Sequence, residues 1–87
     1  MNERLHFLKT KALNLPLNPG VYIMKDVHGK IIYIGKAKAL KDRVSQYFGS
    51  QKNHEEKVKK MVSNVNDFDY ILTDSEFEAL VLECSLI

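Results

Sequence analysis

The sequence has 87 residues, 45% of them hydrophobic and 28% charged, with a formal net charge of +2. That length suits one small domain, which buries only roughly 60% of its unfolded surface, and the composition is that of a soluble globular chain. No apolar run approaches the ~20 residues of a membrane span and Met1-Asn2-Glu3-Arg4 is no signal peptide, so a cytoplasmic protein with no membrane partner is expected.

The small net charge hides an asymmetry. Residues 30–60 carry nine Lys/Arg against three Asp/Glu, whereas residues 61–87 carry six Asp/Glu and no Lys or Arg. A basic middle suits phosphate binding, and an acidic end suits metal binding or repulsion of anions. Pairing of the two halves across the fold would explain the same pattern. The single cysteine, Cys84, rules out an internal disulfide, and among Leu82, Leu86 and Ile87 it is expected to be a buried, inert thiol.

Asn2 to Asn14 reads as a short helix with Leu5, Leu8 and Ala12 along one stripe, covering the core. Leu15-Pro16-Leu17-Asn18-Pro19-Gly20 breaks it, since each proline disfavours helix in the preceding residue. Val21-Tyr22-Ile23-Met24 and Ile31-Ile32-Tyr33-Ile34 are rich in β-branched and aromatic residues and read as a hairpin around Asp26-Val27-His28-Gly29. A four-residue loop pairs Lys25 with Lys30, sets Tyr22 opposite Tyr33 and puts both phenols on one face. A three-residue loop would slip the register by one and part them.

After Gly35 the period changes. Leu40, Val44 and Phe48 make Ala39 to Phe48 a helix, with Ala39, Arg43 and Tyr47 on a second line at the margin of the core. Asn53 and Glu56 suggest a capping box opening a helix that carries Val58, Met61, Val62 and Val65 on one side. Phe68 to Leu72 reads as a third strand beside the hairpin, with Asp67, Asp69 and Asp74 facing solvent or in loops. Ser75-Glu76-Phe77-Glu78 is a second capping box, and Phe77, Leu80, Val81 and Cys84 are expected to form the buried face of the last helix. Glu76 and Glu78 are explained by the positive end of that helix.

Glu83 interrupts this apolar helix. A carboxylate there must be ion-paired, protonated, bound to metal, or exposed on a narrow polar strip. Hydrolysing a phosphodiester needs a deprotonated water, neutralised phosphate charge and a stabilised leaving oxygen. The chain holds parts for each: Glu83 for one divalent ion, Arg43 for a forked phosphate contact, Tyr22 or Tyr33 as base, and Lys36 as a nearby cation. The three histidines, His6, His28 and His54, are too scattered to suggest a site, and His28 in the hairpin turn and His54 in a helix cap read as surface residues. Clustered zinc ligands, a Walker loop and a dinucleotide fingerprint are absent.

Gly20-Val21-Tyr22 followed by Tyr33-Ile34-Gly35-Lys36-Ala37-Lys38, with Glu78-Ala79-Leu80-Val81-Leu82-Glu83 downstream, resembles the GIY-YIG nuclease superfamily, and within it the UvrC-type branch. The resemblance runs from about Pro19 to the last residue. It implies an α/β (α+β) domain, a small, mainly antiparallel three-stranded sheet flanked by helices. It implies a DNA endonuclease that uses one Mg²⁺ or Mn²⁺ in nucleotide-excision repair and incises on the 3′ side of a lesion in double-stranded DNA. It assigns catalytic positions to Tyr22, Tyr33, Lys36, Arg43, Tyr47 and Glu83, with Glu83 as the metal ligand, Tyr33 favoured as base and Lys36 supporting it. Gly20 and Gly35 are motif glycines, Gly35 letting a helix or substrate approach the strand. Lys36, Lys38, Lys41 and Arg43 are the DNA-binding candidates.

Residues 1–87 are expected to be one GIY-YIG domain cut from a longer chain. In the family the last helix continues into a basic, proline-containing stretch ending in an asparagine near the active site, and the position of Ser85 commonly holds asparagine. Modules for UvrB, and through it UvrA, would lie in regions absent here. The alternatives are a UvrC-like single-domain repair nuclease, a homing endonuclease domain, or a basic nucleic-acid-binding module that does not cut.

Overall fold

The computed structural model describes residues 3–49, 52 and 54–87. The apolar stripe of the first segment forms helix α1 (Glu3–Leu13), with Leu8 and Ala12 fully buried and Leu5 packed beside them. Strand β1 (Gly20–Lys25) and strand β2 (Ile31–Ala37) form the hairpin, followed by α2 (Leu40–Tyr47), α3 (Glu56–Asn64), β3 (Asp67–Leu72) and α4 (Glu76–Leu86). The sheet is antiparallel in the order β2-β1-β3, so the first motif strand is central. This is the expected class: a three-stranded antiparallel sheet flanked by helices.

The hairpin register differs from the expectation in an instructive way. The backbone N–H of Asp26 donates to the Lys30 carbonyl (2.9 Å), which closes a three-residue loop, and Gly29 takes the left-handed conformation at φ 79°. The Asp26 carboxylate accepts from the backbone N–H groups of Lys30 and His28, both at 2.9 Å, and these contacts hold its pKa below the ordinary value. Lys25 then stands opposite Ile31, not Lys30. That slip alone would part the tyrosines. A bulge opposite the Met24–Lys25 step adds Ile32 as an extra residue, so Met24 pairs with Tyr33 and Tyr22 pairs with Gly35. Two slips of one residue restore the shared face. Tyr22 and Tyr33 are diagonal neighbours on it rather than a direct pair.

That face carries the main core. Tyr22 and Met24 of the sheet, with Phe68 from β3, pack against Leu8, Leu40, Val44 and Phe48, all nearly inaccessible. The rings of Phe48 and Phe68 stack with centroids 5.8 Å apart. α2 starts at Ala39 without a side-chain cap. The proline loop does that work: the carbonyls of Asn18 and Pro16 accept from the N–H groups of Leu40 (3.0 Å) and Lys41 (3.2 Å). The loop thereby fixes the helix that bears Arg43 and Tyr47. α3 has Glu55 at its N-cap with no side-chain hydrogen bond; Asn53, the expected cap, lies outside the described residues.

The opposite sheet face is covered by α4, which packs on β1 and β2. The Ser75 hydroxyl accepts from the Glu78 N–H at 3.1 Å, as the capping box requires. The buried side of α4 is not the expected one. Phe77 is 73% and Val81 50% exposed, Leu80 and Cys84 are exposed too, and the helix packs through fully buried Ala79 with Leu82 and Glu83 half-buried. Ala79 is the fully buried residue of the helix, and i, i+4 spacing carries Glu83 onto the same inner side.

Asp67 and Asp69 are not idle surface residues: Asp67 accepts from the Lys11 ammonium at 2.7 Å, and Asp69 pairs with Lys25. Burial raises the Asp67 pKa, but Lys11 and the Phe68 N–H more than offset this and hold it below the usual carboxylate value. The acidic end thus draws its partners from the first third of the chain. Lys36, Lys38, Lys41 and Arg43 form no ion pair with described residues. No helix among the described residues is long and apolar enough to cross a membrane.

Candidate active site

Three phenols from three elements meet at one corner of the core face. Tyr22 comes from the central strand, Tyr33 from the edge strand beyond the bulge, and Tyr47 from the last turn of α2. The Tyr22 and Tyr47 hydroxyls are 2.8 Å apart, a hydrogen bond in which either can donate. Ring centroids lie 6.0 Å apart for Tyr22–Tyr33, 5.7 Å for Tyr22–Tyr47 and 6.5 Å for Tyr33–Tyr47. These separations are those of an interacting aromatic cluster.

The phenols are not equivalent. Tyr22 is 2% exposed, whereas Tyr33 is 41% exposed. Burial, then the hydrogen bond and charge of Tyr47, push the Tyr22 pKa far above the ordinary phenol value, and the Arg43 guanidinium only partly opposes them. Burial also raises Tyr33, followed by Tyr47 and, with a smaller effect, the negative charge of Glu83. Arg43 and Glu83 thus act in opposite senses on two of the phenols, the guanidinium lowering Tyr22 and the carboxylate raising Tyr33. Arg43 is exposed one turn before Tyr47 on α2, and Glu83 is half-buried on the inner side of α4.

Gly35 has a specific job. A Cβ there would lie 2.4 Å from both Cζ and the hydroxyl oxygen of Tyr22, so the missing side chain is the space that the Tyr22 ring occupies. The close approach is made by this ring, not by a helix or a substrate. Gly20 is packed as tightly, with a Cβ 2.4 Å from the Ile71 carbonyl oxygen and 2.7 Å from Leu40 Cδ1.

Lys36 is within β2, opposite Val21, so strand alternation sends it to the face that α4 covers. It is on the Glu83 side of the sheet, and the phenol cluster is on the other. Lys38, Asp42 and Arg43 line a shallow depression with Ala39 and Gln46 at the start of α2, next to half-buried Lys41. Ser85 turns back to its own helix, its hydroxyl donating to the Val81 carbonyl at 3.1 Å.

One residue near the cluster was not expected. The His54 ring stands 6.5 Å from that of Tyr47, and its Nε2 is 3.0 Å from the Gln46 carbonyl oxygen. Nothing in its spacing from the other histidines signals this; only the return of the chain from α2 to α3 brings it there. Among the described residues no group of three or more His, Cys, Asp or Glu is placed to hold a metal ion. Were Glu83 the one carboxylate on a metal, as the resemblance implies, water would fill the rest of the coordination shell. That donor set fits Mg²⁺, which keeps several waters and takes one or two carboxylates.

Residues 18–87 match the family model described as the UvrC-like GIY-YIG domain. The sequence is 66% identical over 74 residues to the UvrABC system protein C of Clostridium acetobutylicum, covering 85% of this chain and 12% of that protein. It is 67% identical over 79 residues to the protein of that name from Clostridium beijerinckii, covering 91% and 13%. The chain thus spans 12–13% of the length of these relatives. The structure matches the GIY-YIG N-terminal endonuclease domain of UvrC from Thermotoga maritima bound to its catalytic cation, magnesium, with TM-score 0.80 and 38% identity over 100% of this chain and 90% of that one. A tyrosine-to-phenylalanine point mutant of that domain, also bound to the catalytic divalent cation, matches with TM-score 0.81 and 37% identity over 100% and 89%.

Proposed function

The chain belongs to the UvrC-like GIY-YIG domain family and is an endonuclease domain, and on that premise we propose that Glu83, Arg43 and the phenols of Tyr22, Tyr33 and Tyr47 form its active site for hydrolysing a DNA phosphodiester. The observation that supports this assignment is the meeting of the three motif phenols at one corner, with the Tyr22 and Tyr47 hydroxyls 2.8 Å apart and all three rings within 6.5 Å of one another.

Glu83 would hold one Mg²⁺ or Mn²⁺, as magnesium is bound in the related domain from Thermotoga maritima. The bound ion supplies positive charge for the phosphate and for the leaving oxygen. The protein's own groups do the rest. Arg43, exposed at the mouth of the cluster, makes a forked contact to the phosphate oxygens. Tyr33, once its own proton has left to solvent, takes the proton of the attacking water as the phenolate, because its phenol reaches solvent whereas Tyr22 is buried. Neutralising the Glu83 carboxylate removes one of the influences that raise the Tyr33 pKa. Tyr22 stays protonated in its buried place and orients Tyr47 through the 2.8 Å hydrogen bond. Lys36 adds positive charge on the Glu83 side, and Lys38 and Lys41 with Arg43 hold the flanking backbone.

The wider role follows the relatives. We assign the domain to nucleotide-excision repair in the bacterial cytoplasm, incising double-stranded DNA on the 3′ side of a lesion within a longer chain that engages UvrB and, through it, UvrA. The 60–67% identities to UvrABC system proteins C support this over a homing endonuclease. Glu83→Gln tests the assignment: it should abolish Mg²⁺-dependent incision while DNA binding at the same salt persists. Unchanged cutting by the variant would remove Glu83 from the site.

A further inference from the structure

The phenol cluster opens on its α3 side into a groove whose further lining, beyond Tyr33 and Tyr47, has no part in the proposed chemistry. Ile32, Tyr33, Tyr47, Lys57, Val58 and Met61 line it, with a volume of about 420 Å³, a size that suits a small organic ligand. The bulge creates it. In a regular strand Ile32 and Tyr33 would face opposite sides, yet here both line one space. The groove runs into a more open depression that shares Ile32, Lys57 and Met61 and adds Lys60, Asn64 and Asp26. Neither Lys57 nor Lys60 forms an ion pair with a described residue.

We propose that this groove receives the base of a nucleotide adjoining the scissile phosphate, unstacked from its strand, with the next phosphate on Lys57 and Lys60. The proposal rests on the nuclease reading above. Tyr33 and Tyr47 belong both to the groove and to the cluster at the scissile phosphate, so an occupant is continuous with the substrate. Arg43 lies on one side of the cluster, and the unpaired ammonium groups of α3 lie at the far end of the groove. Cation, apolar aromatic slot, cation is the sequence that phosphate, base and phosphate require. Each end carries two cations against one carboxylate, Lys57 and Lys60 with Asp26 and Lys38 and Arg43 with Asp42, and this positive balance favours a polyanion over a peptide. Unstacking costs least where a strand is damaged or already opened, so the groove would favour such sites.

The test is made in a full-length protein of the relatives' length, with 2-aminopurine placed in turn on each side of the mapped incision. Fluorescence is read in the Glu83→Gln background, where the strand stays intact. One of the two positions should brighten at least twofold on binding as its base leaves the stack. Val58→Phe, which fills the groove, should cancel that change, and Lys57→Gln at the exposed rim should weaken it. Brightening at neither position, or brightening that survives both substitutions, overturns the proposal even if the Glu83 protein cuts normally. Absence of metal-dependent incision by the Glu83 protein would instead bring down the nuclease reading, and this proposal with it.

Discussion

Tyr22 and Gly35 are cross-strand partners, and the phenol ring lies in the space that any side chain at 35 would fill, with a Cβ only 2.4 Å from the ring's Cζ and oxygen. The two motif glycines therefore hold shape more than flexibility. Gly35→Ala should destabilise the fold by about 1–3 kcal/mol, the usual range for overpacking, and displace the hydroxyl that Tyr47 needs. Adding Tyr22→Phe should not restore stability, because Cζ remains in the way. Urea unfolding of the single and double variants checks both statements.

The Tyr22–Tyr47 hydrogen bond joins the central strand to α2. Tyr22→Phe and Tyr47→Phe should each cost about 0.5–1.5 kcal/mol, and the double variant should cost less than their sum because they share one interaction. A double-mutant cycle by chemical denaturation measures the coupling. Additive effects would mean that the bond contributes nothing in solution.

Burial, with Tyr47 second, raises the Tyr22 pKa above its ordinary 10.0. Below pH 10.0 this phenol is protonated in both folded and unfolded chains and leaves stability unchanged. Above that value the unfolded phenol ionises first, so stability falls as pH rises toward the folded pKa. Unfolding midpoints between about pH 9 and pH 11 should drop in the native chain, and Tyr22→Phe should flatten the decline.

Most of the elements were legible because their signals are local. The four-residue spacing of Leu40, Val44 and Phe48 gave α2, and Ser75 with Glu78 gave the start of α4. The hairpin register was not legible, since it depends on a bulge at Ile32 that pairing across two strands selects. The face of α4 was not legible either: large apolar side chains are expected inward, whereas the helix buries small Ala79 and leaves Phe77 and Val81 outside. The candidate site residues came from the motif; the meeting of the three phenols did not. Lys36 falls on the opposite sheet face from the phenols, and His54 beside Tyr47 carried no sequence signal.

Tyr33 is the exposed phenol, and its pKa is raised by burial, Tyr47 and Glu83. If it is the base, single-turnover incision should rise close to tenfold per pH unit below that pKa, and Tyr33→Phe should lower the rate by about 10²–10⁴-fold and abolish the slope. Tyr22→Phe should keep the slope. Rates between about pH 6 and pH 9 at saturating Mg²⁺ separate the two phenols.

The proposal that Glu83 holds a single divalent ion close to Tyr33 and Arg43 is tested most directly by Mn²⁺ titration followed by NMR relaxation. The signals of Glu83, Tyr33 and Arg43 should broaden together, and Glu83→Gln should abolish the effect. Broadening centred on Asp67, Asp69 or Asp74, with Glu83 and Tyr33 unaffected, would contradict the site.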